Sequence, residues 1–178
     1  MEKFAAIVLS AGTGSRMKSD IPKQYMDLNG RPVIYYSLKA FEDSDVDSIV
    51  LVTGRDDIEY CRKEIVEKYG FTKVRAIIAG GAERYDSVFE GLKAVKDCDY
   101  VMIHDGARPM LNQDIIKRSW RGAVEYKACV AGMPVKDTIR VVADDGTAIS
   151  TPDRKSLWQI QTPQAFDYKL IYEAYGRV

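Results

Sequence analysis

Histidine, cysteine and net charge are all scarce in this chain, and each shortage removes a class of chemistry. His104 is the single histidine among 178 residues. A Ser-His-Asp triad or a multi-histidine metal site therefore has little material to use. Cys61, Cys98 and Cys129 are odd in number, far apart and share no C-x-x-C spacing. That argues against a disulfide framework or a zinc site and for a reducing compartment, so a cytoplasmic location is expected. Lysine plus arginine equal aspartate plus glutamate at 26 each, which leaves no excess charge to draw the chain to nucleic acid or a membrane surface. The apolar stretch after Met1 is too short for a signal peptide, and no run approaches membrane-spanning length. No nucleic-acid partner and no membrane partner are expected.

What remains reads as one globular domain over residues 1–178, with 46% hydrophobic and 29% charged residues, a length and balance that support a proper core. Apolar, β-branched runs at 4–9, 47–53, 73–79, 99–104 and 128–133 alternate with amphipathic stretches at 32–43, 56–69, 83–96 and 113–127. Ile58, Cys61, Ile65, Val66 and Tyr69 recur at helical spacing in the second of these, and Asp56 and Asp57 suit its start. Strand–helix alternation with continuously apolar strands predicts an α/β fold: an open, doubly wound, mostly parallel sheet of Rossmann-like kind, covered on both faces. Past residue 135 the pattern alternates and turns at Asp145-Gly146. This predicts a projecting β-hairpin arm at about 136–156 with too little apolar content for a core of its own. Pro163 suggests a turn, and 167–175 a helix.

Ligands in such folds bind beyond the carboxyl ends of the strands. After the first strand comes LSAGTGSRMKSDIPKQY, residues 9–25. A dinucleotide fingerprint would need glycine where Met17 stands, and a Walker A loop fails at the same residue. The dinucleotide reading also wants an acid ending the second strand, which instead ends Thr53-Gly54-Arg55. Gly12 and Gly14 still let backbone amides approach an anion, and Arg16, Lys18 and Lys23 add positive charge. After the third strand, Gly80-Gly81 opens a helix near Glu83, with Arg84 and Ser87 one turn apart. The fourth ends in HDGARP, 104–109, where Asp105 is placed to hold Mg²⁺ and Arg108 to clamp an anion, while His104 reads as a buried structural residue. MPVKDTIR, 133–140, offers Lys136 and Thr138 after the fifth, and PDRKSLWQIQTPQAF, 152–166, ends the arm with Arg154 and Thr162. Singly these are weak signals; their shared position after strands or on the arm carries the weight.

In combination, A-G-x-G-x-R-M (11–17), P-K-Q-Y (22–25), G-G-x-x-R-x-x-S-V-x-x-G-L (80–92), H-D-G-A-R-P (104–109), P-V-K-D-T-I (134–139) and T-P-Q-x-F (162–166) resemble the 2-C-methyl-D-erythritol 4-phosphate cytidylyltransferases. The resemblance runs from Phe4 to Phe166 and implies transfer of CMP from CTP to the sugar-alcohol phosphate, with Mg²⁺ and release of pyrophosphate. It implies that the backbone around Ser10, Ala11, Gly12 and Gly14 cradles the triphosphate, and that Arg16 and Lys23 stabilise charge on the α-phosphorus. Gly80, Gly81 and Ser87 would select the cytosine and ribose, with Arg84 supporting that loop. Asp105 would lie beside metal and substrate. Arg108, Lys136 and Thr138, with Arg154 and Thr162, would hold the sugar phosphate, and the arm would cross to a second subunit in a homodimer.

Two departures accompany the resemblance. Ala82 stands where the family often has an acid. The family pattern also continues past Val178 into a G-x-x-x-N-x-K-[IV]-T-like segment with a further lysine, so a shortened, CTP-binding form without turnover is one alternative. Ribitol-5-phosphate cytidylyltransferase is the other; it shares loop and fold but tends to lack the Pro134-Val135-Lys136 portion.

Overall fold

The computed structural model describes residues 2–12 and 21–177. The chain enters through β1 (Phe4–Ser10), makes a short ribbon of β2 (Asp27–Leu28) and β3 (Arg31–Pro32), and turns into α1 (Val33–Glu42). There follow β4 (Ser48–Thr53), α2 (Ile58–Tyr60) prolonged by a π-helical segment (Cys61–Glu67), β5 (Val74–Ala79), α3 (Arg84–Ala94), β6 (Tyr100–Asp105), α4 (Gln113–Tyr126) and β7 (Ala128–Pro134). A hairpin of β8 (Val141–Val142) and β9 (Ala148–Ser150) precedes β10 (Trp158–Asp167) and α5 (Tyr168–Tyr175).

Six strands form the main sheet in the order β5-β4-β1-β6-β10-β7. The first four run parallel, and β10 lies antiparallel between β6 and β7. Side chains alternate across β1, and that alternation divides the core. Phe4, Ala6 and Val8 face Ile34, Leu38 and Phe41 of α1, with Cys61, Ile65 and Ile116 in the same cluster. Ala5 and Ile7 join Val88 and Leu92 of α3 on the other face, where Tyr168, Ile171 and Tyr175 also pack. Phe41 is fully buried, so its truncation to alanine would cost about 3–5 kcal/mol. Because apolar faces on both sides of β1 need cover, the sheet is doubly wound, as the strand–helix alternation predicts.

Helix starts are set locally. Asn112 accepts from the Ile115 amide at 2.9 Å, Asp167 accepts from that of Leu170 at 2.9 Å, and Glu83 with Asp86 closes a reciprocal capping box on α3.

Residues 135–157 leave the sheet between β7 and β10, closed at the base by the Val135 amide donating to the Leu157 carbonyl at 3.1 Å. Gly146 takes φ +85° at the tip, and Asp145 accepts from the Thr147 amide at 2.8 Å. Val141, Val142 and Ile149 are exposed.

Two expectations are corrected. Pro163 makes no turn; it lies inside β10, where the register with β7 shifts between Ile160 and Gln164. Trp158–Asp167 is likewise not the end of the arm but a strand of the main sheet, so Thr162 belongs to the sheet. An interrupted register is one place where proline is tolerated in a strand.

Candidate active site

The site lies along the carboxyl ends of β1, β4, β5 and β6, joined by β10 entering from the opposite direction. At the end of β1, Ser10, Ala11 and Gly12 begin the glycine loop. Its backbone is held from the P-K-Q-Y segment: Gln24 Nε2 donates to the Ser10 carbonyl at 2.8 Å and to the Gly12 carbonyl at 3.0 Å. Tyr25 follows, its hydroxyl 2.7 Å from Thr53 Oγ1, 3.2 Å from Cys61 Sγ and 3.4 Å from Ser10 Oγ. Burial, with the Cys61 contact, pushes the Tyr25 phenol well above its usual range, and burial also raises the Cys61 thiol. Both groups are therefore neutral hydrogen-bonding partners. Lys23 itself is exposed, on the short 3-10 turn Lys23–Tyr25. Gly14 and Arg16 lie outside the described residues.

The second glycine segment packs directly on the first. The Gly80 amide donates to the Thr53 carbonyl at 2.8 Å. A β-carbon at Gly80 would sit 2.7 Å from Ala11 Cβ and 2.5 Å from Ser87 Oγ, so only glycine lets the two loops approach this closely. Ser87 is buried, and its hydroxyl accepts from the Gly81 amide at 3.1 Å and lies 3.2 Å from the Glu83 carbonyl.

Arg84 does not turn back on its own loop. Its Nε and Nη2 donate to Asp105 Oδ1 at 3.1 and 2.9 Å, and Nη2 reaches Gln164 Oε1 at 3.5 Å. Arg108 takes the other oxygen, Nε to Asp105 Oδ2 at 3.0 Å, while its Nη1 pairs with Gln161 Oε1. One carboxylate thus sits between two guanidinium groups, and two glutamines of β10 flank them. Pairs this exposed add less than ~1 kcal/mol to stability. Their importance is positional: two cations converge at the carboxyl end of β6, an arrangement able to receive anions.

Beneath this cluster is a buried relay. His104, 1% exposed, has its Nε2 3.2 Å from the Arg108 carbonyl and its Nδ1 2.9 Å from Thr162 Oγ1. A carbonyl can only accept, so Nε2 carries the proton and Nδ1 accepts from the Thr162 hydroxyl. That hydroxyl oxygen in turn lies 3.3 Å from the Asp105 amide, which donates to it. Burial lowers the His104 pKa to about 4, so the ring is neutral at physiological pH, consistent with a structural residue. Ser37 of α1, fully buried, stands 3.1 Å from both the Gly106 and Arg108 carbonyls and fixes the turn from its other side.

Ser10, Ala11, Gly12, Gly80, Gly81, Arg84, Ser87, Asp105, Arg108 and Thr162 therefore occupy one continuous strand-end edge. Lys136, Thr138 and Arg154 are separate from it. They are exposed on the arm segment, where Arg154 Nη1 donates to the Lys136 carbonyl at 3.0 Å. Among the described residues, no three His, Cys, Asp or Glu side chains cluster as metal ligands. Gln24, Gln161 and Gln164 were not singled out by sequence reasoning. Their signal was present in the P-K-Q-Y and Q-T-P-Q stretches, but a glutamine gains meaning only from the partners that the fold supplies.

Comparison with known proteins identifies the family. The family model described as IspD, 2-C-methyl-D-erythritol 4-phosphate cytidylyltransferase, matches residues 4–178. A protein of that name from Lachnospira eligens is 59% identical, over 97% of this chain and 76% of the relative. Another, from Lachnoclostridium phytofermentans, is 52% identical, over all of this chain and 76% of the relative. The crystal structure of 4-diphosphocytidyl-2C-methyl-D-erythritol synthase from Anaerococcus prevotii superposes with a TM-score of 0.86 at 35% identity, covering 99% of this chain and 74% of that one. With a family match over nearly its whole length and relatives this similar, the chain belongs to the 2-C-methyl-D-erythritol 4-phosphate cytidylyltransferase family.

Proposed function

We propose that this chain transfers CMP from CTP to 2-C-methyl-D-erythritol 4-phosphate, giving 4-diphosphocytidyl-2-C-methyl-D-erythritol and pyrophosphate. The observation that carries the reading is the convergence of Arg84 and Arg108 on Asp105 at the end of β6, in a chain of this family. In the reaction, a phosphate oxygen of the sugar alcohol forms a bond to the α-phosphorus of CTP. The bond from that phosphorus to the bridging oxygen breaks, and its electron pair leaves on pyrophosphate. No covalent enzyme intermediate is needed, so positioning and electrostatic stabilisation supply the catalysis.

The roles are assigned as membership of the family implies. Ser10, Ala11, Gly12 and Gly14 cradle the triphosphate, and Arg16 with Lys23 answers the charge growing on the α-phosphorus. Gly80, Gly81 and Ser87 fit the nucleoside. Support for this comes from the close packing of Gly80 on Ala11, which joins the two loops into one floor. Arg84 bridges the nucleotide side to Asp105, and Arg108 with Thr162 takes the sugar phosphate; Lys136, Thr138 and Arg154 would join them through the arm's crossing to a second subunit.

Asp105 fits a role in holding Mg²⁺. Magnesium is commonly held by one or two carboxylates together with substrate phosphates, and the Asp105 side chain, 29% exposed, faces the strand-end edge. Bound there, the ion would neutralise triphosphate charge.

The hairpin arm supports a homodimer. Val141, Val142 and Ile149 are exposed on an element with no core beneath it, as expected of a surface that packs on a partner. The domain reading is accordingly one nucleotidyltransferase domain over 1–178 with a dimerisation arm at about 136–156. Cys61, Cys98 and Cys129 are free thiols, which supports a reducing, cytoplasmic setting. Among the described residues no helix is long and apolar enough to cross a membrane.

Pyrophosphate release with CTP and Mg²⁺, compared between 2-C-methyl-D-erythritol 4-phosphate and ribitol 5-phosphate, tests the substrate. Faster turnover of the former is expected, and faster turnover of ribitol 5-phosphate overturns the assignment.

A further inference from the structure

We infer that Gln24, seconded by Tyr25, is a positioning residue that sets Lys23 against the glycine loop. The inference rests on the proposed role of Lys23 at the α-phosphorus. Lys23 is an exposed lysine on a 3-10 turn, and its flexible four-carbon stem alone does not fix where its charge lies. The next residue is anchored. Gln24 is 5% exposed, and its amide nitrogen gives both protons to backbone carbonyls, those of Ser10 at 2.8 Å and Gly12 at 3.0 Å. These carbonyls flank Ala11, so one side chain grips the loop start at two points.

The residue type is specific to the task. Two carbonyl acceptors 2.8 and 3.0 Å from one atom demand a nitrogen with two protons. Glutamate would set a carboxylate against both carbonyls, and methionine would match the shape without donating. Tyr25 adds a third tie through its hydroxyl contacts with Ser10, Thr53 and Cys61. The turn is closed on itself by the Tyr25 amide donating to the Pro22 carbonyl at 2.8 Å. Lys23 is thus carried on a turn bound to the ends of β1 and β4. The bond energy matters less than the constraint, because misplacing a reacting group by ~1 Å can cost ~100-fold in rate.

Steady-state kinetics on the parent, Gln24→Met, Lys23→Ala and the double variant test this. Gln24→Met is expected to lower kcat by ~10-fold or more, leaving KM for the sugar phosphate within about twofold. On the Lys23→Ala background the same substitution is expected to lower kcat less than about twofold, since the group it positions is already gone. An equal loss on both backgrounds overturns the inference, because a merely structural role is additive. Should Gln24→Met fail to fold, Tyr25→Phe, which removes one hydroxyl, is run through the same cycle. A loss confined to the Lys23 background supports the inference and an additive loss overturns it. Failure of the underlying reading is distinguishable: Lys23→Ala alone would then turn over at the parent rate.

Discussion

The Thr162 hydroxyl and His104 Nδ1 lie 2.9 Å apart, and this one bond ties β10 to the end of β6 beneath Asp105. Thr162→Val keeps the shape and removes the donor, leaving a buried ring nitrogen unpaired. A loss of about 1–3 kcal/mol in urea unfolding is expected. KM for the sugar phosphate should rise more than KM for CTP. An unchanged midpoint would show that the relay contributes nothing to the fold.

Burial lowers His104 from its ordinary value of 6.5 to about 4, which makes stability depend on pH. Between these values the unfolded chain binds a proton that the folded chain does not. Stability should therefore be level above pH 6.5 and fall as pH drops towards 4, by up to about 3 kcal/mol from this group. His104→Gln should flatten that part of the profile in denaturant titrations. A slope unaltered by the substitution would assign the acid sensitivity to carboxylates instead.

Gly80→Ala would bring a methyl group within 2.7 Å of Ala11 Cβ and 2.5 Å of Ser87 Oγ. Because both neighbours belong to the proposed nucleotide floor, the strain falls on CTP binding. Calorimetry should show CTP affinity reduced by about tenfold or more, the equivalent of ~1.4 kcal/mol. Parent-like affinity would mean that the floor yields without affecting the nucleotide.

The exposed Val142 and Ile149 should act together in self-association. Val142→Glu with Ile149→Glu is expected to convert a dimer to a monomer in sedimentation velocity, since burying unpaired charge is strongly unfavourable. Site sharing is tested by mixing Arg16→Ala with Arg154→Ala: recovered activity in the mixture is expected, and none would place each site within one subunit.

Most of the architecture was legible from residues 4–134, because continuous apolar strands and amphipathic helices leave distinct periods. The strand ends fell within about a residue of expectation, and the arm turned at Gly146 as Asp145-Gly146 suggests. β10 was not legible. Trp158 and Ile160 are exposed, and the stretch Gln161-Thr162-Pro163-Gln164 breaks the apolar alternation, so its pattern resembles a loop. That one strand carries Gln161, Thr162 and Gln164, so Thr162 reads from the sequence as part of the arm. The position of HDGARP and GGAERYDS at the strand-end edge could be read because they follow strands. The pairing of both Arg84 and Arg108 with Asp105 could not, since it depends on how far apart β5 and β6 come to lie. Gln24 was hidden for the same reason: its partners are backbone carbonyls 12 and 14 residues away.

The most direct test of CMP transfer is ³¹P NMR of the purified chain incubated with CTP, Mg²⁺ and 2-C-methyl-D-erythritol 4-phosphate. The account predicts a new diphosphate diester and an equal amount of pyrophosphate, both lost when EDTA removes the metal. CTP left intact, or hydrolysed to CMP without the diester, would contradict it.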